Sequence, residues 1–291
     1  MHRIPNVLIT SAALAFAPAV ARAGDGDGYK SLIDAKAKSV VTVRIVSKIE
    51  YSFGGRSGNQ ESRGEAQGVV VTKDGLIMLS YSPFRSEESA EMSVKSTPTE
   101  IKVVFENEEK EFDAELVATD KKVNLAFLKV KDLADHAVSP VEFSGAASDV
   151  DVGTKLAQVT RLGKGFDYAP EIATGMISGH VKKPRKAWMV DGSIGDAGLP
   201  VFTMNGDVVG VYTMFESGIK DGGDGGGRFR GMLGGGGMHA FVLPATNVQK
   251  SIELAVKQAA EKKEGDAPAE TEVEGGEKPA EDKKDEKKDG G

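Results

Sequence analysis

Gly68-Val-Val-Val-Thr-Lys-Asp-Gly-Leu-Ile-Met-Leu-Ser-Tyr-Ser82 carries two short apolar runs on either side of Lys73-Asp74-Gly75. A tight reversal between antiparallel strands needs positive φ, which glycine adopts without a steric penalty. The stretch therefore predicts a hairpin, with strands over Gly68–Thr72 and Leu76–Ser80. The same punctuation recurs at Asn205-Gly206-Asp207, between apolar runs at Pro200–Met204 and Val208–Met214. Upstream, Val41, Val43 and Ile45 alternate with Thr42 and Arg44, the period of a half-buried strand. Further strands are expected over Ile101–Phe105, Glu111–Thr119, Leu125–Val130, Lys155–Arg161, Ile172–Val181 and Met238–Leu243.

Roughly ten or more short strands without intervening helices point to an all-β sandwich or a pair of barrels. Tyr29–Lys38 is expected to form a short helix after a loose leader over Gly24–Gly28. A closing helix starts at Thr246 or Asn247 and sets Val248, Ile252, Ala255 and Val256 on one face. Gly54–Gly64 and Asp221–Gly237 are polar or glycine-dominated and are expected to be unstructured. Beyond about Lys262 the chain is Glu, Lys, Asp, Pro and Gly, too polar to bury a core, and disorder is expected.

The 291 residues suffice for a sizeable core. A net charge of −7 argues against a dedicated nucleic-acid binder, which would present a basic face. The absence of cysteine excludes disulfide frameworks and thiolate metal sites. No metal or other cofactor is expected: Asp25 and Asp27 start like a calcium loop, but Tyr29 stands where a third oxygen ligand belongs. Lys182-Lys183-Pro184-Arg185-Lys186 is read as a solvated basic loop. At the N-terminus, His2 and Arg3 precede an apolar run from Val7 to Val20, and Ala21-Arg22-Ala23 forms a small-x-small cleavage site. A cleavable secretory signal over residues 1–23 follows, with the mature protein starting at Gly24 in the periplasm or outside the cell. The expected organisation is a leader over 24–35, one domain over 36–260 and a charged tail over 261–291.

Three stretches in order carry a family resemblance. Gly68–Ser82 is similar to a glycine, a strand, Asp-Gly and a second strand leading to Thr-Asn-x-His. Asp120-Lys-Lys-Val-Asn-Leu-Ala-Phe-Leu-Lys-Val130 is similar to Asp-x-x-x-Asp-Leu-Ala-x-Leu-x-Val. Gly195-Asp-Ala-Gly-Leu-Pro200, followed by Asn205-Gly206-Asp-Val-Val-Gly-Val211, is similar to Gly-(Asn/Asp)-Ser-Gly-Gly-Pro and the strand after it. Met238-His-Ala-Phe-Val-Leu-Pro244 resembles a closing Gly-x-Gly-Phe-Ala-Ile-Pro strand. From about residue 36 to 257 the chain thus resembles the protease domain of the HtrA family of trypsin-like serine proteases. No sequence remains after the closing helix for the PDZ domain that many relatives carry, and the segment before Gly195 is about two residues short.

The resemblance implies two six-stranded antiparallel β-barrels with a C-terminal helix. It also implies a degenerate triad: Ser82 at the base position, Asn124 at the carboxylate position and Ala197 at the nucleophile position. Gly195 and Ala197 would supply the backbone N–H groups of an oxyanion hole. Leu199, at a family glycine position, would crowd the substrate pocket, and His239 falls between two family glycine positions of the last barrel strand. A methyl group cannot attack a carbonyl, a serine is too weak a base, and an asparagine carries no charge to hold an imidazolium. Ser193 lies near enough in sequence to be weighed as a replacement nucleophile, but activation requires a neighbouring base. His136 is expected in a solvated loop and His180 near a strand end. The expected function is a pseudoprotease that binds protein or peptide in the cell envelope, with no nucleic-acid partner and no membrane span after signal cleavage. A serine endopeptidase with a non-standard site, and an accessory subunit assembling with an active homologue, are the alternatives; a homo-oligomer is a further partner expectation.

Overall fold

The computed structural model describes residues 25–88, 92–106, 108–133, 136–144, 147, 150–183, 185–216 and 238–262. The N-terminal stretch expected to be a secretory signal, the glycine-rich 221–237 stretch and the tail beyond 262 lie outside the described residues. Two closed antiparallel barrels are joined side by side. The first comprises β1 (Val40–Phe53), β2 (Arg56–Val70), β3 (Leu76–Ser80), β7 (Leu125–Val130), β6 (Glu111–Asp120) and β5 (Met92–Phe105) in that order. Pairing of β1 with β5 closes it, and the two-residue β4 (Glu87–Glu88) extends β5 at the edge. The second runs β10 (Ala187–Gly192), β13 (Met238–Pro244), β12 (Val208–Glu216), β11 (Pro200–Thr203), β8 (Lys155–Arg161) and β9 (Pro170–Val181), which returns to β10. The expected fold, two six-stranded barrels, is the one observed.

Period-two alternation explains why the barrels pack as they do. On β3, Ile77 and Leu79 fill the first barrel beside Val41, Val43 and Val103. Leu76 and Met78 face the other way, into a cluster shared with Ala157, Val159, Phe202, Val211 and Leu243 of the second barrel. The strand is buried on both faces, so it is apolar throughout rather than alternating. The second barrel has its own interior of Leu156, Ile177, Val201, Val209 and Val242.

Two helices flank the barrels. α1 (Asp25–Lys36) starts four residues before the expected helix and sends Leu32 into the shared cluster, so it packs as part of the core rather than as a leader. α2 (Ala245–Lys262) leaves the second barrel and returns to β6 of the first. Val248, Ile252 and Ala255 are buried beside Val117 and Ala118, and Ser251 Oγ donates to Asp120 Oδ2 at 2.9 Å.

Polar stitching also joins the barrels. Arg44 of β1 meets Glu65, Glu111 and the Tyr168 hydroxyl of the second barrel. Gln67 exchanges two hydrogen bonds with the Arg161 backbone, at 2.7 and 2.8 Å. Arg161 is 7 % exposed, and its guanidinium donates to the carbonyls of Ala37 (2.6 Å), Val40 (2.8 Å) and Tyr168 (3.0 Å).

Two expectations are corrected. Gly54–Gly64 is ordered: β1 and β2 pair from Val40↔Val69 out to Phe53↔Arg56 around a Gly54-Gly55 turn, both glycines having positive φ (56° and 76°). A two-residue turn of this kind matches the twist of a hairpin. Strand β10 has no counterpart among the expected strands, because exposed Met189 between Trp188 and Val190 blurs its alternation.

Candidate functional site

The residues singled out by register gather at the seam between the barrels. From the first barrel, β3 ends at Ser80, a short 3-10 turn covers Ser82–Phe84, and Asn124 precedes β7. The Tyr81 N–H donates to the Asn124 carbonyl at 3.0 Å, tying the two loops together. Asn124 has φ of 56°, a left-handed conformation that asparagine tolerates better than most residues, and it is 4 % exposed. Its Nδ2 donates to Ser80 Oγ (3.1 Å) and Ser82 Oγ (3.3 Å). The Ser82 hydroxyl lies 3.4 Å from Asn124 Oδ1, and Ser80 Oγ lies 3.0 Å from Ser82 Oγ. Three neutral side chains thus satisfy one another. Thr213 Oγ1 of β12 donates to the Val123 carbonyl at 2.6 Å, fixing the turn before Asn124 onto the second barrel.

The second barrel supplies the turn from Ile194 to Leu199, between β10 and β11. Gly198, with φ of 89°, lies so close to β3 that a Cβ on it would stand 2.2 Å from the Ser80 backbone nitrogen. This packing brings the chain next to Ala197 against the end of β3 at Ser80, and Ala197 is part-exposed. Gln158, in the middle of β8 and fully buried, reaches this turn from below. Its Oε1 accepts from the Gly195 N–H (3.3 Å) and the Asp196 N–H (3.1 Å). Its Nε2 donates to the Asp196 carbonyl at 2.9 Å, with the Leu199 carbonyl at 3.5 Å.

Several expectations change at this point. Gly195 is not available as an oxyanion donor, because its N–H is directed at the interior, onto Gln158. The Ala197 N–H has no partner among the described residues. Leu199 does not crowd a pocket: it is 0 % exposed and packs into the apolar cluster shared by the barrels. A motif position fixes where a residue sits along the chain, and the strand twist decides which way it points. His136 is part-exposed rather than free in solvent: its ring packs on Phe105 and Phe112, with centroids 4.5 and 4.9 Å away, and its Nδ1 lies 3.8 Å from Glu108 Oε2. His180 is on β9, its Nε2 3.3 Å from Asp151 Oδ1. His239, on β13, pairs through its backbone with Phe215 of β12; its side chain is outside what the structure describes. Ser193 Oγ is spent on Thr174, accepting from its N–H (2.9 Å) and lying 3.1 Å from its carbonyl oxygen. Neither His136 nor His180 has a partner in the Ser82–Asn124 cluster.

Ser80 and Gln158 were not among the expected site residues. Gln158 had a readable signal: it interrupts the apolar run Leu156, Ala157, Val159, and a buried amide in a strand must find partners.

Asp196, within this turn, is half-buried. Burial pushes its carboxyl above the usual range, and the nearby Glu171 carboxylate pushes in the same direction. Tyr212 is raised as well, by burial and then by Asp196. Because the folded state holds the Asp196 proton more tightly, that contribution to stability is complete below the unfolded value of about 3.9 and is lost as pH rises through the folded one. Asp196→Asn is therefore expected to stabilise the protein at pH 7 and to make little difference near pH 3, as read by urea denaturation at both values. Equal stability of the two proteins at pH 7 would contradict the assignment.

The profile of the family described as "Trypsin-like peptidase domain" matches residues 66–211, which spans β2 to β12 and includes Ser82, Asn124 and Ala197. The chain belongs to the trypsin-like peptidase family. Among curated trypsin-like relatives it is 27 % identical over 223 residues to a "Probable periplasmic serine endoprotease DegP-like" of Hahella chejuensis, covering 65 % of this chain and 44 % of that one. It is 23 % identical over 195 residues to "Serine protease HTR4" of Bos taurus, covering 63 % and 36 %. The chain spans less than half the length of these curated relatives. A solved structure described as "Crystal structure of Deg5" aligns with a TM-score of 0.47 and 20 % identity, over 66 % of this chain and 87 % of that one. These relatives are HtrA-type members of the trypsin-like family, and the similarity lies in the protease domain. No helix among the described residues is long and apolar enough to cross a membrane.

Proposed function

We propose that this trypsin-like domain does not hydrolyse peptides and serves as a polypeptide-binding protein of the cell envelope. The observation that carries this reading is the closed set of Ser80, Ser82 and Asn124 at the seam, where the two serine hydroxyls are bonded to each other and to a neutral amide. Nothing in the set takes a proton near neutral pH, and Ala197, one residue before the glycine packed on Ser80, brings only a methyl group. Loss of a nucleophile or base in such a constellation removes on the order of 10⁴ to 10⁶ in rate, and the losses do not add. The envelope location rests on the signal-like N-terminus and on the periplasmic assignment carried by the DegP-like relative.

Two measurements test it. The mature protein is expected to leave casein intact and to take up no fluorophosphonate probe at a serine. Casein cleavage that the probe abolishes would overturn the non-hydrolytic reading. Fluorescein-labelled unfolded casein is expected to bind saturably in an anisotropy titration, and a flat titration would remove the binding role.

A further inference from the structure

We infer that Gln158 is a positioning residue that latches the 194–199 turn in a form unable to receive an oxyanion. The turn, and not only the side chains above it, is then set against hydrolysis. This deepens the non-hydrolytic reading and rests on it.

Along β8, Leu156 faces the interior of the second barrel, while Ala157 and Val159 face the shared cluster. Gln158, two residues on from Leu156, points to the same side as Leu156. From there its amide oxygen meets two successive backbone donors, Gly195 and Asp196. Successive N–H groups converging on one oxygen form an anion-binding concavity, and here a carboxamide oxygen from inside the protein fills it. An oxyanion in the cleft would need the Gly195 and Ala197 N–H groups, two residues apart, aimed outward together. The first of these is directed inward. The Nε2 contacts to the Asp196 and Leu199 carbonyls hold the other side of the same turn, so the carboxamide grips it through both of its ends. Gly195 itself is exposed, so its N–H can be hydrated once the grip is released.

Gln158→Met keeps the length of the side chain and removes its hydrogen bonds. In the otherwise unaltered protein, hydrogen exchange read by NMR is expected to show the Gly195 and Asp196 amides protected. The substitution should speed exchange at those two at least about tenfold and leave Val201 on β11 protected. A second arm uses the protein carrying Ser82→His, Asn124→Asp and Ala197→Ser, assayed on an activated peptide ester. Adding Gln158→Met to these three is expected to raise kcat by about 10² with little change in KM, the size of effect one oxyanion donor has. Equal kcat with and without Gln158→Met would overturn the latch, as would Gly195 and Asp196 amides that exchange freely in the unaltered protein. The latter measurement needs no variant to fold. The non-hydrolytic reading fails separately, through serine labelling of the unaltered chain.

Discussion

Gly198→Ala is expected to cost on the order of 4 kcal/mol of stability, in the range reserved for severe local conflicts. The added methyl carbon would stand 2.2 Å from Ser80 N, 2.5 Å from Leu79 C and 2.9 Å from Leu79 Cα. These are backbone atoms of β3, which is hydrogen-bonded to β2 on one side and β7 on the other, so they cannot withdraw. Positive φ adds about 1–2 kcal/mol for any residue with a Cβ. Gly153 separates the two causes: its φ is 88°, nearly that of Gly198, yet nothing lies within 4 Å of a Cβ built there. Gly153→Ala should therefore lose only the conformational share. Urea denaturation of both variants reads the difference directly. Equal losses would show that the 194–199 turn can lift away from β3 at no cost, and the site geometry would then have to be redrawn.

Arg161→Met is expected to destabilise the protein by about 3–5 kcal/mol, because charged hydrogen bonds are lost and buried carbonyls are left behind. The guanidinium reaches three carbonyls from three different segments: Ala37 after α1, Val40 at the start of β1 and Tyr168 before β9. Methionine replaces the stem but offers no donor. The Ala37 carbonyl keeps a bond from the Val40 N–H, so most of the loss falls at Val40 and Tyr168. Burial lowers the Arg161 pKa from its ordinary value, the expected sign for a cation held by carbonyl dipoles out of water. Lysine at this position can serve some of the carbonyls but not all three in a plane, and it should fall between arginine and methionine. Urea midpoints in the order Arg, Lys, Met support the role. A methionine variant within about 0.5 kcal/mol of the parent, the scatter of ordinary surface substitutions, would refute it.

The parts of the fold that could be read in advance are those with local signals. Asp74-Gly75 and Asn205-Gly206 lie between apolar runs, so both the turn and the strands it joins are visible within about a dozen residues. The Gly54-Gly55 turn is equally well formed, but Arg56–Gln67 has only Ala66 as an apolar residue. That strand is held by its pairing with β1, which pairs on its other edge with β5, and a hydrophobic pattern has nothing to report there. The site shows the same division. Counting from Asp74-Gly75 brought attention to Ser82, and its side chain is in contact with Asn124. The direction of Leu199 and the reach of Gln158 across to Gly195 depend on how one strand lies against a distant turn. Neither is a property of a short window of sequence.

The return of α2 to the first barrel has a consequence for how the polypeptide assembles. Val117 and Ala118 on β6 share one apolar cluster with Val248, Ile252 and Ala255 of α2, which packs on β6. The Ser251–Asp120 bond closes a loop of 131 residues. A chain delivered through a pore with its amino end leading would present the first barrel unroofed until its closing segment had emerged. The two barrels would then mature together at the end of delivery rather than one after the other, leaving a sticky flank for a holding chaperone to cover in the interval.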